Sequence, residues 1–140
     1  MRKVWTYDPH SGGVKIPLQL QVETRERILG HAEKHYRGKF TRIDVRFRGA
    51  LCYIDAYTEP APPSPRLLKI TKETRAAYMA RLRNVPTHLC RLRYLGPYRN
   101  VWSVAFFTYS HEQYEPTFFE NGKFEGTPEE GFEVGAVYLR

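Results

Sequence analysis

In Thr41-Arg42-Ile43-Asp44-Val45-Arg46-Phe47-Arg48, polar and apolar positions alternate strictly from Arg42 onward. A period of two predicts a half-buried β-strand. Gly49-Ala50 suits a two-residue type II′ turn, so residues 51–57 are expected to return antiparallel. That register sets Arg46 opposite Tyr53, Asp44 opposite Asp55 and Arg42 opposite Tyr57. Ile43, Val45, Phe47, Cys52, Ile54 and Ala56 then face a core. A second strand pair is expected from residues 89–95 and 101–109, joined by the loop 96–100. It turns Cys90, Leu92, Tyr94, Trp102, Val104 and Phe106 inward, with Arg91, Arg93, Ser103 and Ala105 on the other face. Residues 114–119 predict a further strand, and Pro116 marks it as an edge. Asn121-Gly122 is a turn signal that would fold Phe124 back on Phe119.

Helical spacing appears in three places. A helix starts near Pro17, with Leu18, Val22, Leu29, Ala32 and Tyr36 as its apolar stripe, Arg25 interrupting it and Gly38 as the stop. Thr71 can cap a second helix running to about Leu82, ended by Asn84 and Pro86. Thr127-Pro128-Glu129-Glu130 has the form of a capping box, with proline at the first helical position. It opens a third helix that presents Phe132, Ala136 and Leu139 on one face. Residues 4–7 read as an edge strand and 8–13 as a loop, together an N-terminal arm over 1–16. Pro60, Pro62, Pro63 and Pro65 make 58–69 a stiff connecting loop. The order is helix, hairpin, helix, about four strands, helix. It predicts one α+β domain over residues 1–140, an antiparallel sheet of five or six strands with helices mainly on one face.

Composition supports that picture. The chain has 140 residues, 41% of them hydrophobic, enough for one core without a metal or disulfide staple. No run approaches the length of a membrane span, and no apolar run follows the charged N-terminus, so a cytoplasmic protein is expected. The two cysteines, Cys52 and Cys90, are expected to be free thiols there. Formal net charge is +7, unevenly spread. Residues 1–100 hold 20 Lys/Arg against 8 Asp/Glu, whereas residues 101–140 hold 2 against 7. A basic body joined to an acidic tail fits an anionic partner, or neutralisation within the fold or across a homodimer.

The polar face of the first hairpin carries the most chemistry: Asp44, Arg46, Arg48, Tyr53, Asp55 and Tyr57. Arg91 and Arg93 join it if both hairpins share a sheet. Guanidinium groups fork onto phosphate oxygens, and tyrosine rings stack on bases. Cross-strand pairing of Arg with Asp is the structural alternative. Asp44 and Asp55 face each other as acid and base would, but the arginines around them favour two ionised carboxylates. The RNA-binding RRM signature fails, because Ala50, Leu51 and Cys52 follow Arg48-Gly49 where aromatics are required. His31 and His35 are four apart, yet Glu33 is not placed as HExxH demands. His88 and Cys90 share strand parity and Cys52 can lie near, but both cysteines fall on the core face. No metal site and no cofactor are therefore expected. There is no phosphate loop beyond an isolated Gly12-Gly13 and no GxSxG, and His111 stands alone in a turn.

Three stretches carry a resemblance. They are Val45-Arg46-Phe47-Arg48-Gly49-Ala50-Leu51-Cys52-Tyr53-Ile54-Asp55-Ala56-Tyr57-Thr58-Glu59-Pro60, Pro86-Thr87-His88-Leu89-Cys90-Arg91-Leu92-Arg93-Tyr94 and Gly126-Thr127-Pro128-Glu129-Glu130. They resemble a family of small bacterial proteins with no assigned activity, over most of the chain from about Val14 onward. The resemblance implies a bacterial, cytoplasmic, single-domain protein and assigns no residue a role. From the residues themselves, the leading expectation is a non-catalytic module whose Arg/Tyr face binds an anionic partner, nucleic acid foremost. One alternative is an enzyme on a small anionic molecule, with Arg46, Arg91 and Arg93 as clamp and Asp44 or Asp55 as base. The other is a homodimer whose acidic tail docks on its basic body.

Overall fold

The computed structural model describes residues 12–97 and 101–140. Strict alternation produces the strand pair β1 (Arg42–Arg48) and β2 (Leu51–Tyr57), and every expected partner is found: Arg46 with Tyr53, Asp44 with Asp55, Arg42 with Tyr57. Gly49, at φ 59°, takes the turn position that a side chain would strain. The sheet continues through β3 (Thr87–Tyr94), β4 (Trp102–Thr108) and β5 (Gln113–Thr117). All neighbours are antiparallel, and the spatial order is the chain order, β1-β2-β3-β4-β5. The class is α+β. Pro116 lies on the edge strand β5, where proline is tolerated.

Two helices cover one face. Helix α1 (Leu18–Tyr36) packs on β1 and on the C-terminal helix, which in turn lies across β3 and β4. Helices α2 (Pro65–Thr71) and α3 (Arg75–Arg83) fill the connection between β2 and β3, and the C-terminal helix is α4 (Pro128–Gly135), extended by a short 3-10 turn over Ala136–Leu139. Between the sheet and α1/α4 lie Ile28, Ala32, Cys52, Ile54, Leu92, Trp102 and Phe132, all essentially without solvent contact. The capping box is formed as expected. Glu130 N–H donates to the Thr127 hydroxyl, and Thr127 N–H donates to the Glu130 carboxylate.

Several expectations need correction. The buried stripe of α1 is Thr24, Ile28 and Ala32, while Leu18, Val22 and Leu29 are exposed. The helix is rotated because Arg25 is anchored to the sheet edge: its guanidinium donates to the Val45 carbonyl and lies over the Phe47 ring. The segment 58–69 is not all loop. Ser64 caps α2 and Pro65 takes its first position, and the chain then breaks at Lys72, whose φ is 58°. Thr74, not Thr71, caps α3. The Asn121-Gly122 turn is present, with Gly122 at φ 81°, but Phe124 lies against Phe118 and Phe119 is buried in the core. Residues 12–16 are no loose arm. Val14 N–H donates to the Tyr94 carbonyl and Ile16 N–H to the Gly49 carbonyl, and Ile16 is buried. The expected strand 4–7, and residues 98–100 of the expected loop, lie outside the described residues.

The acidic tail is engaged within the chain. Glu129 takes a bidentate pair from Arg27, at 2.6 and 2.8 Å. Glu133 is bonded by His31 and by the Tyr36 hydroxyl, each at 2.6 Å. Burial pushes the Glu133 carboxyl up, yet the hydrogen bonds from Tyr36 and His31 outweigh it and leave the group below its ordinary range. A depressed folded pKa stabilises above the unfolded value, about 4.3, and the benefit is lost as pH falls through the lower folded value. The thermal midpoint should therefore drop on acidification below about pH 4, and Glu133→Gln should flatten that drop, as melting curves taken across pH will show.

Candidate functional site

All eight polar candidates project from the sheet face opposite α1 and α4: Asp44, Arg46 and Arg48 from β1, Tyr53, Asp55 and Tyr57 from β2, Arg91 and Arg93 from β3. The face is not a uniformly wet surface. Asp55, Arg91 and Arg93 are only 3%, 5% and 6% exposed. Charged groups are rarely so buried unless something holds them.

Asp55 organises the centre. Its Oδ2 accepts from Arg46 Nη2 at 3.0 Å, and its Oδ1 meets His88 Nδ1 at 2.8 Å. Arg46 also lies 3.7 Å from Asp44, so one guanidinium sits between the two opposed carboxylates. That is the placement the arginine-rich sequence implied, a cation between the two carboxylates.

His88 was placed by parity beside Cys90 on the core face; the structure puts it on the other. Pairing runs Asp55 with His88 and then Ile54 with Cys90, leaving Leu89 as an extra residue, a β-bulge. The bulge reverses the alternation between His88 and Cys90 and turns the imidazole toward Asp55. Cys52 and Cys90 stay in the core, where burial pushes both thiols up, Cys90 to about 12. The imagined His88/Cys90/Cys52 ligand set therefore does not assemble. Among the described residues no three His, Cys, Asp or Glu side chains gather as a metal site would need. The pair His31 and His35 does meet, ring centres 4.5 Å apart, but His31 is spent on Glu133.

Aromatic rings fill the space around this centre. His88 lies 4.8 Å from Phe107 and 6.4 Å from Tyr114, and Tyr114 meets Tyr53 edge-on at 5.5 Å. On this face three arginines lie over tyrosines: Arg42 on Tyr57, Arg46 on Tyr53 and Arg91 on Tyr114, at 4.1, 5.2 and 5.2 Å. Burial, and next the charge of Asp55, push the Tyr114 phenol well above its ordinary range, so the hydroxyl stays protonated. Tyr109 completes the surround, its hydroxyl oxygen accepting the His88 backbone N–H at 2.7 Å. His88, Phe107, Tyr109 and Tyr114 were not among the expected site residues. The faces of His88 and Tyr114 depend on the bulge and on the β4–β5 register, which no isolated strand pattern reveals, whereas Phe107 and Tyr109 follow by alternation from Ser103 and Ala105.

Two depressions flank the cluster. A recess of about 490 Å³ is lined by Gly12, Arg48, Gly49, Ala50, Leu51, Tyr53 and Arg91. Arg48 forms no ion pair among the described residues. A larger, mostly apolar groove of about 700 Å³ lies past Arg93, with Phe118 and Phe124 on its wall. The chain matches no known family model, no curated protein and no solved structure.

Proposed function

We propose that this protein binds single-stranded nucleic acid on the sheet face opposite α1 and α4. The observation that carries the reading is the recess in which Arg48 and Arg91 stand on either side of Tyr53. The exposed Arg48 guanidinium meets a backbone phosphate there, the buried Arg91 adds positive charge beneath the floor, and the partly exposed tyrosine offers a ring to a base. Stacking on aromatics suits unpaired bases, and a duplex hides its base faces.

A second basic region favours a polymer over a small anion. Helices α2 and α3 leave the sheet at the end where Tyr57, His88 and Arg42 lie. Arg66, Lys69, Lys72 and Arg75 on this excursion form no ion pair among the described residues, whereas Arg81 and Arg83 are bonded to Glu73 and Glu59. Cations in two separate places suit a chain of phosphates. The recess alone also fits the second reading, an enzyme on a small anionic molecule. A homodimer through the acidic tail draws less support, since Glu129 and Glu133 are already paired inside the chain. No helix among the described residues is long and apolar enough to cross a membrane. The free, buried thiols are consistent with a reducing compartment such as a cytoplasm.

Fluorescence anisotropy with labelled single-stranded oligonucleotides across a salt series tests this. Affinity should fall steeply with salt, each neutralised phosphate adding about 0.7 to the logarithmic slope. Replacing Arg66, Lys69, Lys72 and Arg75 by glutamine should lower that slope by up to about 3. Weak salt dependence with tight binding of a small phosphate compound would favour the second reading. No binding of any oligonucleotide at low salt would reject the proposal.

A further inference from the structure

We propose that His88 makes this face an RNA-cleaving site, with the imidazole Nε2 as general base toward a ribose 2′-hydroxyl. The inference rests on the nucleic-acid reading above and adds a reaction to it. Its basis is the way one buried carboxylate holds two groups at once. Asp55 fixes His88 through Nδ1 and Arg46 through Nη2, on its two separate oxygens. The imidazole and the guanidinium are therefore neighbours by construction. The bond to Nδ1 sets the tautomer that leaves Nε2 as the acceptor. Among the described residues Nε2 has no hydrogen-bond partner, and the side chain is 35% exposed. The base is oriented, backed by a carboxylate and reachable.

The structure also supplies the reason for a bulge at this point. If Leu89 were a regular strand residue instead of a bulge, alternation would carry His88 to the Cys90 side. Bulges recur where a side chain must be re-aimed beside an active site. Phe107 packs against one part of the ring and limits its rotation.

The chemistry of the surroundings selects the substrate. Both cysteines lie on the other side of the sheet, and no hydroxyl or thiol of the described residues is bonded to Nε2. A base with no protein nucleophile acts on water or on a nucleophile carried by the substrate, and the single-stranded nucleic acid proposed above carries one when it is RNA. RNA has it, in the 2′-hydroxyl beside every phosphodiester, and DNA does not. In the step, the 2′-hydroxyl proton passes to Nε2 while the 2′ oxygen bonds to the adjacent phosphorus. The bond from phosphorus to the 5′ oxygen breaks, and that oxygen takes a proton from water. His88 returns its proton to solvent. The products are a 2′,3′-cyclic phosphate and a free 5′-hydroxyl, with no oxidant, reductant or co-reactant. Arg46, half exposed beside the base, is placed to meet the non-bridging oxygens as charge gathers on them.

The test uses the full chain with two labelled strands of one sequence, RNA and DNA. Both should bind, and only the RNA should be cut, leaving cyclic-phosphate ends. His88→Ala, prepared in parallel and shown folded by circular dichroism, should lose at least about a hundredfold in cleavage measured at RNA concentrations that saturate each protein. Free imidazole added to that variant should restore part of the rate. Should the alanine variant unfold, His88→Gln carries the same comparison. RNA that binds and stays intact overturns the inference and leaves the binding proposal standing. Equal cleavage by wild type and variant overturns it as well. Failure of both strands to bind removes both claims together.

Discussion

Replacing Gly135 by valine should cost about 3 kcal/mol or more and lower the unfolding midpoint by many degrees. A Cβ at this position would lie 2.7 Å from the carbonyl carbon of Leu89, 2.7 Å from its Cβ and 2.8 Å from its carbonyl oxygen. These are largely backbone atoms of a central strand and have nowhere to go. Helix α4 must then lift from β3, opening the core around Phe132, which is fully buried against α1 and the sheet. Leu89 is also the bulge residue, so the displacement reaches the segment that aims His88. Gly126→Ala is a milder contrast, because the closest atoms there belong to the Phe119 ring and to the end of the Glu130 side chain. Chemical denaturation of the variants checks the order. Equal stability of Gly135→Val and wild type would mean that α4 does not sit this close to β3.

The second large effect concerns the recess. The double variant Arg48→Glu, Tyr53→Ala should weaken single-stranded oligonucleotide binding about thirty- to a hundredfold at low salt. Loss of a stacked ring is worth about 1–3 kcal/mol, and reversing a phosphate-facing charge adds to it. Arg48 is exposed at the end of β1 and forms no ion pair among the described residues, so its loss should not disturb folding. Tyr53 packs edge-on to Tyr114, and its truncation should lower stability modestly. The unfolding midpoint of the variant separates that cost from the binding loss. Undiminished affinity in a folded double variant would move the interface away from the recess.

How far the sequence foretold this arrangement depended on whether the pattern was local. The first hairpin was legible because alternation in both strands, joined by Gly49-Ala50, admits one register that buries the apolar face. The capping box at Thr127 was legible because both partners lie within four residues. Helix α1 was misread because Thr24 occupies a core position while Leu18 and Val22 do not, and an apolar count cannot register an anchoring bond such as Arg25 to the Val45 carbonyl. The arginines and aspartates of the site were found together because strand parity places them so. His88 was not, since one extra residue inverts parity. The adjacent apolar pair Leu89-Cys90 is the trace that bulge left in the sequence. Tyr114 reaches the site only through the pairing of β5 with β4, four strands from β1, which no local signal encodes.

The claim underlying the whole account is that nucleic acid meets the sheet on the side away from α1 and α4. Backbone amide NMR of the labelled protein, titrated with a single-stranded RNA at low salt, measures it directly. The account predicts progressive shifts at Arg48, Tyr53, His88, Arg91 and Tyr114 and along α2 and α3, with α1 and α4 unmoved. Shifts confined to α1 and α4, or a spectrum that does not change, would contradict it.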